Sequence, residues 1–366
     1  MAGMSSETAS PRPPKAATGG TPAEAIADAI QADGPIPFSR FMELALYGPG
    51  GYYAGLPVGP AGDFVTSPHL SPVFGALVAR QVEELWTLLG RPAPFRLIEA
   101  GAGDGTLASQ MLGALDAEAR SAMEFVAVER GAAARRALAS RGLAAAERLE
   151  DVPPAPAGCL LANELLDNLP FDLVRGTDAG AVELLVTVSG DDFGWSEGRV
   201  VAEAPGTTIP PGELAIVPRA MFEFLDVAAS RFERGYLWLV DYGPAAAPHT
   251  YRGHRVGADL LADPGHRDIT AGVDVEAAIR HAGSLALRAW PPRSQREVLF
   301  ALGFREWAER TRAKQVAALG ERRGVDAVRA WSDRSGASAL IDPAGVGGFF
   351  VLCLGVGDVP PPSWAT

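Results

Sequence analysis

Apolar residues in this chain follow two rhythms. Short continuous runs at 95–100, 123–129, about 143–149, 158–162 and 235–241 have the length of buried strands, and the segments between them place apolar residues at helical spacing. Strand-like runs alternating with helical segments predict an α/β fold with a doubly wound, Rossmann-like sheet. Ahead of the first run, patterns over 21–31, 36–47 and 71–89 predict a helical layer. Thr21 caps its first helix, Pro22 fits the first turn, and Gly48-Pro-Gly-Gly51 ends the second helix. Further helices are expected over 218–232, 273–282, 293–302, 304–317 and 322–332, with one over 106–119 after the first strand. Residues 181–217 break the alternation: Val182–Val188, the Ser189-Gly-Asp-Asp192 turn and two more β-prone runs predict an antiparallel insertion. Residues 243–274 show no period and read as a polar loop, and a loop of that length is more often functional than idle. The final run, 348–354, is expected to close the sheet, paired antiparallel with 284–287. The organisation this predicts is a disordered tail over 1–22, a helical lid over 23–90, and an α/β domain over 91–366 carrying both insertions.

Composition narrows the partners more than the fold. The 366 residues are 48% hydrophobic, ample for a large core, and the net charge is -12. Basic residues are dispersed, which argues against nucleic acid, and an acidic surface tolerates a cationic protein partner. Cys159 and Cys353 each sit in an apolar run and read as buried, reduced thiols, which fits a cytoplasmic-type compartment. The five histidines lack metal-ligand spacing, so no metal is expected. No apolar run reaches the length of a membrane span. The first 22 residues are rich in Ala, Pro, Ser, Thr and Gly with few bases, so a cytoplasmic location is preferred to the mitochondrial matrix that a transit peptide would imply.

The chemistry concentrates at the ends of the apolar runs. Phe95-Arg-Leu-Ile-Glu-Ala-Gly-Ala-Gly-Asp-Gly-Thr-Leu107 runs a strand into Glu99, then glycines at 101, 103 and 105, then a helix. Glycines let the backbone turn sharply and let a ligand lie against it. A dinucleotide turn needs its third glycine at 106, where this chain has Thr106. The spacing instead suits S-adenosyl-L-methionine (SAM), although a tight turn without a ligand has the same local pattern. Glu129 ends the second run, where a carboxylate can accept both ribose hydroxyls. The fourth run leads into Asn163-Glu-Leu-Leu-Asp167, in which Glu164 and Asp167, at i and i+3, can share one face of a new helix. Asn163 as a helix cap followed by an acidic first turn is the plainer reading of the same residues. Asp241 ends the fifth run at the same sheet edge.

Taken in order, Gly51-Tyr-Tyr53, Gly62-Asp-Phe-Val-Thr-Ser-Pro68, the glycine turn, Asn163–Asp167, Asp241-Tyr-Gly243 and Asp268-Ile-Thr-Ala271 with Val273-Asp274 resemble the MidA-like family of SAM-dependent methyltransferases. The mitochondrial members of that family are complex I assembly factors. The resemblance spans about residues 36 to 354. It implies SAM as cofactor, held by Gly62, Asp63, Thr66, Ser67, Pro68, Glu99, Gly101, Gly103, Gly105, Thr106, Leu107 and Glu129. It implies methyl transfer to arginine of a protein partner, such as a respiratory complex I subunit, in a protein that can form a homodimer. Carboxylates forking onto a guanidinium orient it, and Asn163, Glu164, Asp167 and Asp241 are the candidate catalytic set. Ala102 and Asp104 stand where the family usually has Pro and Arg, which places an anion near the ligand. A methyltransferase acting on a non-protein acceptor, or an assembly factor that keeps the fold without catalysis, has the same outline.

Overall fold

The structure, a computed structural model, describes residues 20–365 except 56–57, 60–61, 191, 202–208, 254 and 322. Most of the tail expected to be disordered, together with Asp191, His254 and Arg322, lies outside the described residues. At the centre is an eight-stranded sheet. Phe95–Ala100 lies between parallel neighbours Ala155–Asn163 and Met123–Val128; Ala145–Ala146 extends one side and Phe232–Asp241 the other. Phe350–Val356 pairs antiparallel with Phe232–Asp241. The chain leaves Phe95–Ala100 toward one edge, then crosses back to lay Ala155–Asn163 on its other side. The connections from these two central strands therefore diverge and open a crevice at their carboxyl ends.

Strand pleating sends alternate side chains to opposite faces. Leu97, Cys159, Tyr236 and Trp238 meet the helices Val73–Leu88 and Thr106–Ala114, whereas Ile98, Leu160, Leu237 and Leu239 meet Arg219–Ala229 and Val275–Ser284. A third apolar cluster joins Pro22–Asp33 and Phe38–Tyr47 to the insertions through Ile26, Phe38, Phe41, Leu184 and Ile269. The 23–90 stretch thus divides, its first two helices on the insertions and Val73–Leu88 on the central sheet.

Several expectations change in detail. The 36–47 helix begins only at Phe38, because Ile36–Pro37 pairs with Leu185–Val186 as a short strand. The single helix over 106–119 is two, Thr106–Ala114 and Ala117–Ala122, the second capped by Asp116 accepting from Ala119 N–H at 2.7 Å. The 181–217 insertion also recruits Asp172–Thr177, giving a five-stranded antiparallel sheet with Gly180–Ser189, Asp192–Val201, Leu214–Val217 and Ile36–Pro37. Residues 243–274 are not a loop: Ala246–Arg252, Arg255–Gly257 and Asp268–Gly272 form a three-stranded antiparallel sheet. Phe350–Val356 pairs with Arg288–Ala289 and Arg293–Ser294 rather than 284–287, which finish the helix Val275–Ser284 and turn out of it.

Candidate active site

A cavity of about 510 Å³ opens at the crevice between the two central strands. The glycine turn forms its floor. Gly101, Gly103 and Gly105 all have positive φ, at 72°, 54° and 78°, a region where only glycine is unstrained. Their surroundings differ. A Cβ at Gly101 would lie 3.0 Å from Leu165 Cδ1 on the cavity wall, whereas one at Gly105 would strike Leu138 and Leu143 behind the turn. Of the residues expected to hold the cofactor, Thr66, Pro68, Glu99, Gly101, Gly103, Thr106, Leu107 and Glu129 line the cavity. Gly105 does not, and serves as the cap residue of the helix that follows.

Glu99 is buried with Oε2 lacking any partner among the described residues, and burial pushes its carboxyl up to about 8. Glu129 accepts from Gly131 N–H at 2.7 Å and Gly103 N–H at 2.9 Å, and burial raises it as well. Each carboxylate oxygen accepts more than one hydrogen bond, so both residues keep acceptor capacity facing the cavity. Asn163 Oδ1 is likewise buried, unpartnered and in the wall. These open acceptors suit a ligand rich in hydroxyl and ammonium donors, which SAM is. The anion at 104 is neutralised locally. Asp104 accepts from Thr106 N–H at 2.9 Å, pairs with Arg141 at 3.0 Å and lies 3.4 Å from His69 Nε2. Burial would raise its pKa, but the hydrogen bonds from His69 and Thr106 outweigh burial and hold it below the ordinary value.

The Asn163–Asp167 segment is not a helix. Glu164 takes a left-handed φ of 54°, and a single 3₁₀ turn covers Leu166–Asn168. Asn163 ends its strand, and its side-chain amide donates to Glu164 Oε1 at 3.0 Å instead of capping. The cause lies on the neighbouring strand. Asp241 Oδ2 accepts the N–H groups of Leu165 at 3.0 Å and Leu166 at 2.6 Å, and Oδ1 accepts that of Tyr242 at 2.7 Å. Asp241 is buried and outside the cavity lining, so its carboxyl shapes the turn from behind.

Glu164 lines the cavity and receives the Ser67 N–H at 2.9 Å, which puts Ser67 behind Glu164 rather than in the wall. Asp167 lies just beyond the cavity, where Oδ2 accepts from Thr270 at 2.7 Å and Oδ1 is buried without a partner. Asp268 accepts from Asn168 at 3.0 Å and from the Tyr53 hydroxyl at 3.2 Å. Gly62 and Asp63 stand back from the lining: Gly62 N–H donates to Gly59 C=O, and Asp63 accepts from Tyr52 OH at 2.9 Å and Gly253 N–H at 3.3 Å, joining the N-terminal segment to the three-stranded sheet. Burial pushes Glu164 and Asp268 up to about 7 and raises Asp167 and Asp241 as well; the negative charge of Asp167 adds to the rise at Asp241 and Asp268.

Wall residues not expected to hold a ligand include Tyr47, Glu150, Asn168 and Phe224, and also Tyr53 and Phe64, which stand in the quoted motifs without an expected role. Glu150 offered a signal, an acid directly after the run expected at about 143–149, as Glu129 directly follows the strand Met123–Val128; it lies in the 3₁₀ turn Leu149–Asp151. Phe224 offered none, being one apolar position in an amphipathic helix.

A family profile described as "Putative S-adenosyl-L-methionine-dependent methyltransferase" matches residues 77–290. The chain is 31% identical to the Drosophila melanogaster protein named protein arginine methyltransferase NDUFAF7 homolog, mitochondrial, over 72% of this chain and 70% of the relative. It is 28% identical to the Xenopus tropicalis protein arginine methyltransferase NDUFAF7, mitochondrial, over 75% and 73%. Among solved structures, a Burkholderia thailandensis protein bound to S-adenosyl-homocysteine superposes with a TM-score of 0.79 at 26% identity, covering 92% of each chain. The profile covers more than half of the chain and the relatives most of it, and the cavity offers the acceptors such a cofactor needs: the chain belongs to this family and is an S-adenosyl-L-methionine-dependent methyltransferase.

Proposed function

We propose that the protein methylates arginine side chains of a partner protein. The observation that carries this reading is a charge imbalance. Glu164 in the cavity wall is backed by Asp167, Asp241 and Asp268 on and around the turn that carries it, and among the described residues no Arg or Lys pairs with any of the four. Their raised pKa values follow from burial without a cation. A guanidinium entering there supplies the missing charge and five donors in a planar fork. Glu164 meets it from the cavity wall, and Asp167, with its open Oδ1, from the side of the three-stranded sheet. Asp241 holds both in place through the turn. The named activity of the relatives points the same way, and a respiratory complex I subunit is the acceptor that the family resemblance implies.

When bound, the cofactor supplies an electrophilic methyl group on a sulfonium. The chain's part is to hold the acceptor nitrogen in line, to localise guanidinium charge away from it through the carboxylates, and to keep water out. The test combines labelled SAM, the purified protein and a protein extract from cells of the same source lacking the gene, followed by hydrolysis to amino acids. Label in methylated arginine on one or a few proteins is expected. Label absent from protein, with S-adenosyl-homocysteine still bound, would overturn the arginine reading in favour of a small-molecule acceptor or a scaffold role.

A further inference from the structure

The three-stranded sheet turns one face toward the 163–168 turn. Residues directly opposite in an antiparallel pair carry their side chains on the same face, with Cβ atoms about 4.5–5.5 Å apart. His249 is opposite Thr270, and Tyr251 is opposite Asp268. Because Thr270 reaches Asp167 and Asp268 reaches Asn168, this face is the one packed on the turn. The row has a closed end at Asp167, whose Oδ1 is shielded from water, and an open end at the half-exposed His249.

We propose that Asp167, Thr270 and His249 form a proton exit from the acceptor side of the active site to solvent. The proposal rests on the arginine reading given above. Methylation of a guanidinium breaks one N–H bond and forms one N–C bond, while the electron pair of the broken C–S bond stays on sulfur as a neutral thioether. Substrate and product guanidinium are both monocations, so each methyl added releases one proton in place of the sulfonium charge. That proton appears among buried carboxylates and must leave before the next turnover. Asp167 accepts it at an oxygen, the Thr270 hydroxyl turns to accept from the protonated carboxyl and donate onward, and the His249 imidazole passes a proton to water. A hydroxyl both donates and accepts, and an imidazole can take up a proton at one ring nitrogen and release one at the other.

Among the described residues, the other ionisable groups facing this row are Asp268 and Tyr251 in the sheet, Tyr52 and Tyr53 from the N-terminal segment, and Glu164 and Asp241 at the strand ends. All of them are acids, so among the described residues His249 is the nitrogen base of the set. His249 and Thr270 act through Asp167, and both are positioning residues for the proton rather than for the methyl group.

The labelled-SAM assay on the same extract tests this, with initial rates from pH 6 to 9 for the unmodified protein, His249→Gln, Thr270→Val and Thr270→Ser. Both His249→Gln and Thr270→Val should slow arginine labelling roughly ten-fold at neutral pH. The deficit should shrink as pH rises, added imidazole should partly restore His249→Gln, and Thr270→Ser should transfer at nearly the full rate. Protection against heat by S-adenosyl-homocysteine should be the same in all four proteins. A His249→Gln variant with the unmodified rate and pH profile would overturn the exit and leave the arginine reading intact. So would a Thr270→Val defect accompanied by loss of ligand protection, which marks a structural role. No arginine label from the unmodified protein would overturn the arginine reading, and the exit with it.

Discussion

Glu164 is the residue at which local preference yields most plainly to the site. A left-handed backbone costs a non-glycine residue on the order of 1–2 kcal/mol, and this chain accepts that cost at a glutamate, with φ 54°. The conformation turns the carboxylate into the cavity, where Ser67 N–H and the Asn163 amide hold one oxygen. Replacing Glu164 with Gln keeps an amide oxygen for both donors and removes the charge. Glu164→Gln is therefore expected to keep S-adenosyl-homocysteine binding, read by thermal shift, and to lower methyl transfer at least about 100-fold. An undiminished transfer rate would remove Glu164 from the chemistry. The glycine turn permits a second separation of roles. Gly101→Ala strains a positive φ and presses on Leu165 in the wall, while Gly105→Ala strains the same kind of backbone but presses on Leu138 and Leu143 outside it. Both should lower the melting temperature, by roughly 1–3 °C for 1–2 kcal/mol of strain. Only Gly101→Ala should also weaken ligand binding, roughly ten-fold or more by calorimetry.

At the scale of elements, the site is a meeting of strand ends, with Glu99, Glu129, Asn163 and Asp241 each closing a strand or standing next to its last residue. Asp241 shows why that meeting is cooperative. Both of its oxygens accept backbone N–H groups, so an amide at this position must turn its NH₂ toward at least one donor. Asp241→Asn should cost about 1–3 kcal/mol and weaken ligand binding and transfer together, because the turn that carries Glu164 and Asp167 loosens. A folded, stable variant with only transfer lost would instead make Asp241 a direct partner of the acceptor. This also explains what could be read in advance. The strands at 95–100, 123–129 and 235–241 and their terminal acids are legible because a continuous apolar run and its stopping point are local patterns. The conformation of 163–168 is not, since it depends on a carboxylate 76 residues from Leu165. The helix expected there obeyed every local rule and lost to that one distant acceptor. The three-stranded sheet escaped for a related reason: its strands are short, and polar residues such as His249, Tyr251, Asp268 and Thr270 occupy the face that a longer strand would make apolar. Their partners lie in the active-site turn, beyond the reach of any periodicity.

For the whole molecule, the concentration of buried carboxylates sets the response to pH. Glu99 is raised to about 8, and Glu164 and Asp268 to about 7, against ordinary carboxyl values near 4. Between those limits the folded state binds more protons than the unfolded state, so unfolding releases protons and stability falls as pH rises. The protein without cofactor should accordingly lose thermal stability from about pH 5 to pH 8. This is opposite to the behaviour of a chain whose carboxylates are held in ion pairs, and the net charge of -12 reinforces it as the remaining acids ionise. Transfer should run the other way, rising through about pH 7 as Glu164 gains the charge that receives a guanidinium. The unbound enzyme is thus least stable where it is most competent, and ligands supply the difference by binding the folded state alone. Glu99 separates the two trends, since it lines the cavity and has no partner at Oε2 among the described residues. Glu99→Gln removes one buried ionisation without changing shape. Its melting temperature at pH 8.5 should exceed that of the unmodified protein by roughly 2–4 °C, the gap should close by pH 5, and affinity for S-adenosyl-homocysteine should fall at both pH values. A variant that melts below the unmodified protein at pH 8.5 would mean that Glu99 is already ionised and satisfied in the folded chain. The pH trend would then lose the contribution of Glu99.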